Sequence, residues 1–131
     1  MDYTEIAAGT RFTVLAIREV TGEAGQVETF VAGLPHADQR KVFDRVWLAA
    51  NYGPLSNPTQ SKALAGTEGL FELKCGGCRL SFFYWGRGAM VLTHGFTKRT
   101  PRTPRQELKR GERLRWEFLS TFGSGERGRA R

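Results

Sequence analysis

From Leu70 to Trp85, apolar and polar residues alternate on either side of Gly76-Gly77, the pattern of two strands joined by a two-residue turn. A glycine pair readily takes the positive φ angles of such a turn, and the turn fixes the register. Cys75 is expected opposite Cys78, Lys74 opposite Arg79, Leu73 opposite Leu80, Glu72 opposite Ser81 and Phe71 opposite Phe82. One face then gathers Phe71, Leu73, Cys75, Cys78, Leu80, Phe82 and Tyr84, and is expected to pack on the core. The other carries Glu72, Lys74, Arg79 and Ser81, followed by Phe83 and Trp85. Charges in mid-strand fit either a solvated face or a sheet that presents a site for a polyanion. For Phe83 and Trp85, packing beneath a C-terminal helix is preferred over base stacking. A third strand, Ala89 to Thr97, follows Gly86-Arg87-Gly88. A two- or four-residue loop there, the reading preferred, puts Met90, Leu92, His94, Phe96 and Lys98 on the charged face, whereas a three-residue loop sends that set to the core.

The remaining elements follow from periodicity and punctuation. Arg11 to Val20 alternates β-branched and aromatic residues and predicts a strand of the same sheet, making four in all. Val27 to Ala32 predicts a short helix. Pro35 to Tyr52 predicts a longer one that covers the sheet, with Phe43, Val46, Trp47 and Ala50 at helical spacing and Gly53-Pro54 as a stop. Asn51 to Gly69 is a polar loop of a length that is often functional. Thr103-Pro104-Arg105-Gln106 reads as a capping box with proline at the first helical position, and Leu108, Gly111, Leu114, Phe118 and Phe122 trace one face of the helix that follows. Residues 123–131 lack apolar side chains and are expected to be disordered. The chain therefore predicts an α+β fold: a small, mostly antiparallel four-stranded sheet, N-terminal helices on one face, a basic C-terminal helix, and one domain over 1–122.

Charge changes this picture. The 131 residues carry a formal net charge of +7. Residues 87–131 hold twelve Lys/Arg against four Asp/Glu, whereas 1–86 hold eight against nine. Such asymmetry points to a polyanionic partner, nucleic acid or an acidic protein, through counterion release and long-range attraction. No basic start followed by an apolar run opens the chain and no stretch approaches membrane-spanning length, so a cytoplasmic location without a membrane partner is expected.

Cys75 and Cys78 form a single C-x-x-C. A zinc site needs about four ligands, and only His36 and His94 could join them, without the usual spacing. The motif sits on a hairpin turn and not at a helix N-terminus, so a buried, reduced thiol pair is the preferred reading over zinc or redox exchange. Clustered carboxylates for divalent metals, a phosphate-binding P-loop and a Ser-His-Asp arrangement are all missing, and neither a cofactor nor a small-molecule ligand is expected.

The succession Gly69-Leu70-Phe71-Glu72-Leu73-Lys74, Cys78-Arg79-Leu80, Val91-Leu92-Thr93-His94-Gly95-Phe96-Thr97-Lys98-Arg99 and Thr103-Pro104 before a basic helix resembles the RelE/ParE toxin superfamily, above all its phage-derived, HigB-like branch. The likeness spans roughly residues 40 to 120. Lys74, Cys78, Arg99 and Gly111 depart from that branch, which has Arg, Tyr, Lys and commonly Ala there. The resemblance implies the same α+β layout. It also implies the toxin of a type II toxin-antitoxin system that enters the ribosomal A site and cuts mRNA, neutralised by a cognate antitoxin, often a helix-turn-helix protein.

RNA can be cut without a metal when the 2′-hydroxyl attacks its own 3′-phosphate in line. That reaction needs proton transfer at two oxygens and positive groups around the pentavalent phosphorus. The expected catalytic set is Arg79 and Lys74 on the scissile phosphate and His94 as general acid or base, with a structural histidine as the equal alternative for His94. Lys62, Lys98, Arg99, Arg102 and Arg105 are the expected RNA contacts. Competing readings are a toxin of the same fold that poisons DNA gyrase by binding, and a non-enzymatic nucleic-acid-binding phage accessory module.

Overall fold

The computed structural model describes residues 1–19 and 26–125. In chain order the elements are β1 Asp2–Ala8, β2 Thr13–Arg18, α1 Gln26–Ala32, α2 His36–Tyr52, β3 Ser61–Ala63, β4 Phe71–Cys75, β5 Cys78–Trp85, β6 Ala89–Thr97 and α3 Arg105–Phe122. The strands form one six-stranded sheet, ordered β1-β2-β6-β5-β4-β3, in which only β2 and β6 run parallel. The class is the expected one, but the four-stranded sheet is corrected to six. Both added strands are edges. An edge strand has one hydrogen-bonded neighbour and little burial, so DYTEIAA needs few apolar residues, and β3 is only three residues long.

Both faces of the sheet are covered. In β2, Val14 and Ala16 point to the core under α1 and α2, while Leu15 and Ile17 point to the core under α3, the alternation of a strand buried on two sides. The expected strand thus reaches only Arg18 at its far end, and Val20 lies outside the described residues.

Helix α2 faces the sheet with Val42, Val46, Ala49 and Ala50. Val46 and Ala50 were expected there, but Phe43 and Trp47 are 61% and 58% exposed. The small residues let the helix lie close to the β1–β2 turn. The backbone N–H groups of Arg11 and Phe12 both donate to the Ala50 carbonyl at 3.0 and 2.9 Å, and a Cβ on Gly9 would stand 2.2 Å from that oxygen.

The β4–β5 register is the expected one at all five pairs, closed by Gly76 at φ +65°. The next turn spans three residues, because Trp85 pairs with Ala89. Met90 and Leu92 consequently join the core under α1 and α2, against the preferred reading. A β-bulge follows, however: Phe82 pairs with Leu92 but Ser81 pairs with His94, leaving Thr93 as the extra residue. The bulge flips the parity, and His94 and Phe96 lie opposite Ser81 and Arg79 on the charged face. Gly95 now faces α1, where a Cβ would stand 2.3 Å from the Phe30 ring.

Helix α3 lies on that second face. Gly111, Leu114 and Phe118 are buried, with Leu108 and Phe122 packed at the margin, as the periodicity predicts. Phe83 and Trp85 pack beneath it, their rings 5.5 and 4.9 Å from that of Phe118. The helix starts at Arg105 without a side-chain cap, so the expected capping role of Thr103 is corrected. Past the helix, the Trp85 indole donates to the Gly123 carbonyl at 3.1 Å. Of the segment expected to be disordered, 126–131 lie outside the described residues.

Candidate nucleic-acid interface

The register brings the cations together. Lys62 on β3 pairs with Glu72 on β4, and Lys74 pairs with Arg79 on β5, so all four side chains share the α3 face at the end that the helix leaves free. Lys98, one residue past β6, joins them, its N–H donating to the Gly77 carbonyl at 3.0 Å. Four Lys/Arg thus surround one carboxylate.

That carboxylate is fully buried. Glu72 Oε1 accepts from Arg79 Nε at 3.1 Å and Lys98 Nζ at 3.0 Å, and Oε2 accepts from the Thr103 hydroxyl at 2.8 Å. Lys98 Nζ also donates to Thr103 Oγ1 at 3.1 Å. Burial alone would raise the Glu72 carboxyl. The hydrogen bonds from Lys98 and Thr103 and the charges of Lys98 and Arg79 outweigh it and hold the group below its ordinary value.

Glu72 thereby aims Arg79. The guanidinium spends Nε on Glu72 and Nη1 on the carbonyls of Gly76 and Cys78, at 2.6 and 3.0 Å. Among the described residues, Nη2 has no acceptor. Lys74 is half-buried beside it, and desolvation, followed by the charge of Lys62, lowers its pKa against the opposing charge of Glu72; Arg79 and Lys98 add to the lowering. Lys62 is exposed, as are Arg99, Arg102 and Arg105. The first two of these arginines lie on the excursion from Lys98 to Thr103, both ends of which touch Glu72.

Two expected site residues are not presented to solvent. The Lys98 side chain is 4% exposed and its ammonium is committed to Glu72 and Thr103. His94 is completely buried beneath α3, a Cβ on Gly111 standing 3.0 Å from Ser81 Oγ and 3.6 Å from His94 Cε1. Its Nδ1 lies 2.9 Å from Thr93 Oγ1, and its Nε2 lies 3.2 Å from Glu107 Oε1 without the geometry of a hydrogen bond. Burial, with the charges of Arg110 and Arg113 adding to it, pushes the imidazole down to about 4, so the ring is neutral at pH 7. The reason for both corrections is the same: the helix and the segment leading into it close over one end of the charged face.

Glu72 and Thr103 were not among the expected site residues. The available signal was a carboxylate between Phe71 and Leu73 in a strand that α3 had to cover. At the hairpin end, Cys75 and Cys78 are free and buried. Desolvation pushes the Cys75 thiol up to about 12 and raises Cys78 as well, so both are protonated at neutral pH.

The chain is similar to a chain in the crystal structure of the archaeal RelE-RelB complex from Pyrococcus horikoshii OT3, with a TM-score of 0.52 over 68% of this chain and 97% of that one. Identity is 18%, so the likeness is one of fold. Residues 29–115 match the phage-derived Gp49-like protein family (DUF891), and the chain belongs to that family. The match takes in Lys62, Lys74, Arg79, Lys98, Arg99, Arg102 and Arg105. No curated protein was found to match.

Proposed function

We propose that this protein is the toxin of a type II toxin-antitoxin pair and cleaves mRNA on the ribosome by attack of the 2′-hydroxyl on the adjacent phosphate. The observation that carries the reading is Arg79, locked by Glu72 through Nε and by two carbonyls through Nη1, beside its cross-strand neighbour Lys74. A guanidinium N–H group held this way suits a phosphate oxygen, and holding it beforehand removes the reorganisation cost during reaction. Lys74, the cross-strand neighbour of Arg79, is the proton acceptor. In the step, the O2′–P bond forms as the P–O5′ bond breaks. The 2′-hydroxyl proton passes to Lys74 Nζ and the leaving 5′-oxygen takes a proton from water, giving a 2′,3′-cyclic phosphate and a 5′-hydroxyl.

Lys62, Arg99, Arg102 and Arg105 hold flanking phosphates. Lys98 acts through Glu72 as a positioning residue, and His94 belongs to the packing under α3, not to the chemistry. The RelE-RelB complex in which the structural neighbour was solved supports a co-expressed antitoxin as partner, and the ribosomal substrate of this reading implies the cytoplasm. The test is induced expression in bacteria of wild type and Arg79→Ala, with growth followed and mRNA ends mapped. Growth arrest with cuts inside reading frames, lost in the variant, is expected. Arrest without cuts would move the assignment to a gyrase-poisoning toxin, and no arrest would move it to a binding module.

A further inference from the structure

On the opposite side of the hairpin tip from Arg79, α2 and β4 enclose a depression of about 520 Å³ lined by Lys41, Arg45, Trp47, Gln60 and Gly76. Three features mark it. Among the described residues no carboxylate or carbonyl engages the Arg45 guanidinium, and its Nη1, shielded from solvent, has no hydrogen-bond partner. Such a group is costly to leave unpaired. Lys41 lies across the turn, since a Cβ on Gly76 would stand 2.9 Å from its Cδ and 3.4 Å from its Nζ. Among the described residues its one ion-pair partner, Asp38, is 4.0 Å away on the helix surface. Trp47 leaves 58% of its surface exposed beside these two cations. Asp44 also lines the depression, and the cations outnumber it.

Gly76 joins this depression to the site on the other face, because its carbonyl is the acceptor that holds Arg79 Nη1. A single strand that places one phosphate at Arg79 can therefore round the hairpin tip into the depression. We propose that the depression is a second nucleotide subsite, in which Lys41 and Arg45 take the phosphate of a nucleotide flanking the scissile one and Trp47 stacks on its base. Two cations and an exposed indole are the combination that grips single-stranded nucleic acid without reading its sequence. An acidic protein segment would use the cations but has no need of the indole. The inference rests on the ribonuclease reading of Arg79, and its test is independent of cleavage.

The test measures binding of a short fluorescent 2′-O-methyl oligoribonucleotide, which cannot be cut, to the full chain across a range of salt. Wild type is compared with the Lys41→Gln/Arg45→Gln double variant and with Trp47→Ala, all checked for native circular dichroism. Losing that one phosphate contact should lower the slope of log K against log salt by about 0.7, at ~0.7 per phosphate on a single strand. Trp47→Ala should weaken binding at least about fivefold with the slope unchanged. Wild-type affinity and slope in both variants would overturn the subsite. If Arg79→Ala abolishes cleavage while the α2 variants bind normally, the ribonuclease reading stands and the subsite falls. If the α2 variants lose binding but wild type cuts no RNA, the subsite stands and the ribonuclease reading falls.

Discussion

Glu72→Gln should destabilise the protein by about 3 kcal/mol at pH 7. The substitution keeps the side-chain volume and removes the charge that compensates two cations. Of these, Lys98 is 4% exposed and Arg79 16%, against 0% for Glu72 itself. Removing one partner of a buried pair typically costs about 3–5 kcal/mol. Glutamine can still accept from one donor and Arg79 retains two carbonyl acceptors, which places the expectation at the lower end. Urea unfolding followed by circular dichroism measures it, with equal m-values as the control that the unfolded states match. The pH dependence supplies a second arm. Because the folded carboxyl titrates below its ordinary 4.5, its contribution is complete above that value and lost as pH falls through the folded pKa. The gap between wild type and variant should be flat at neutral pH and narrow in acid, where Glu72 is itself protonated. A gap under about 1 kcal/mol at pH 7, or one that persists unchanged in acid, would refute the buried-network account.

Gly111→Ala should cost about 1–3 kcal/mol in urea unfolding although alanine favours helix, because the new methyl stands 2.9 Å from Leu70 Cδ1 and 3.0 Å from Ser81 Oγ; a stabilised variant would mean that α3 is not seated on the sheet. His94 is depressed from 6.5 to about 4 in the folded state, so its contribution to stability is whole above pH 6.5 and falls away towards pH 4. Over that window wild type should lose about 3 kcal/mol that His94→Gln does not, and parallel profiles would contradict the burial of the neutral ring. Cys75 and Cys78 should resist iodoacetamide in the native protein at pH 7.5 and react on unfolding, as judged by mass spectrometry; rapid native alkylation would contradict their burial.

What the sequence discloses here depends on how local the deciding contacts are. The β4–β5 register is set by Gly76-Gly77 between the strands it joins, and all five pairs are legible. The buried face of α3 is equally local, a matter of spacing from Leu108 to Phe122. The placement of β6 is not, because one bulge at Thr93 divides a continuous alternating run between two cores. On α2 the large aromatics Phe43 and Trp47 outweigh Val42 and Ala49 in any hydrophobic pattern, yet close approach to Ala50 selects the small residues. At the site, Lys74 and Arg79 are legible as cross-strand neighbours. The exposure of Lys98 and His94 is not, since it is decided by Thr103 and Gly111, which the chain supplies only after the sheet is complete.

Single-turnover cleavage of mRNA on programmed ribosomes, with product ends characterised, addresses the central claim that Arg79, positioned by Glu72, stabilises the phosphate undergoing attack. Arg79→Ala should cut at least about a hundredfold more slowly than wild type, Arg79→Lys should recover only part of that loss, and the wild-type product should carry a 2′,3′-cyclic phosphate. Folded Arg79→Ala cleaving at the wild-type rate would contradict the claim.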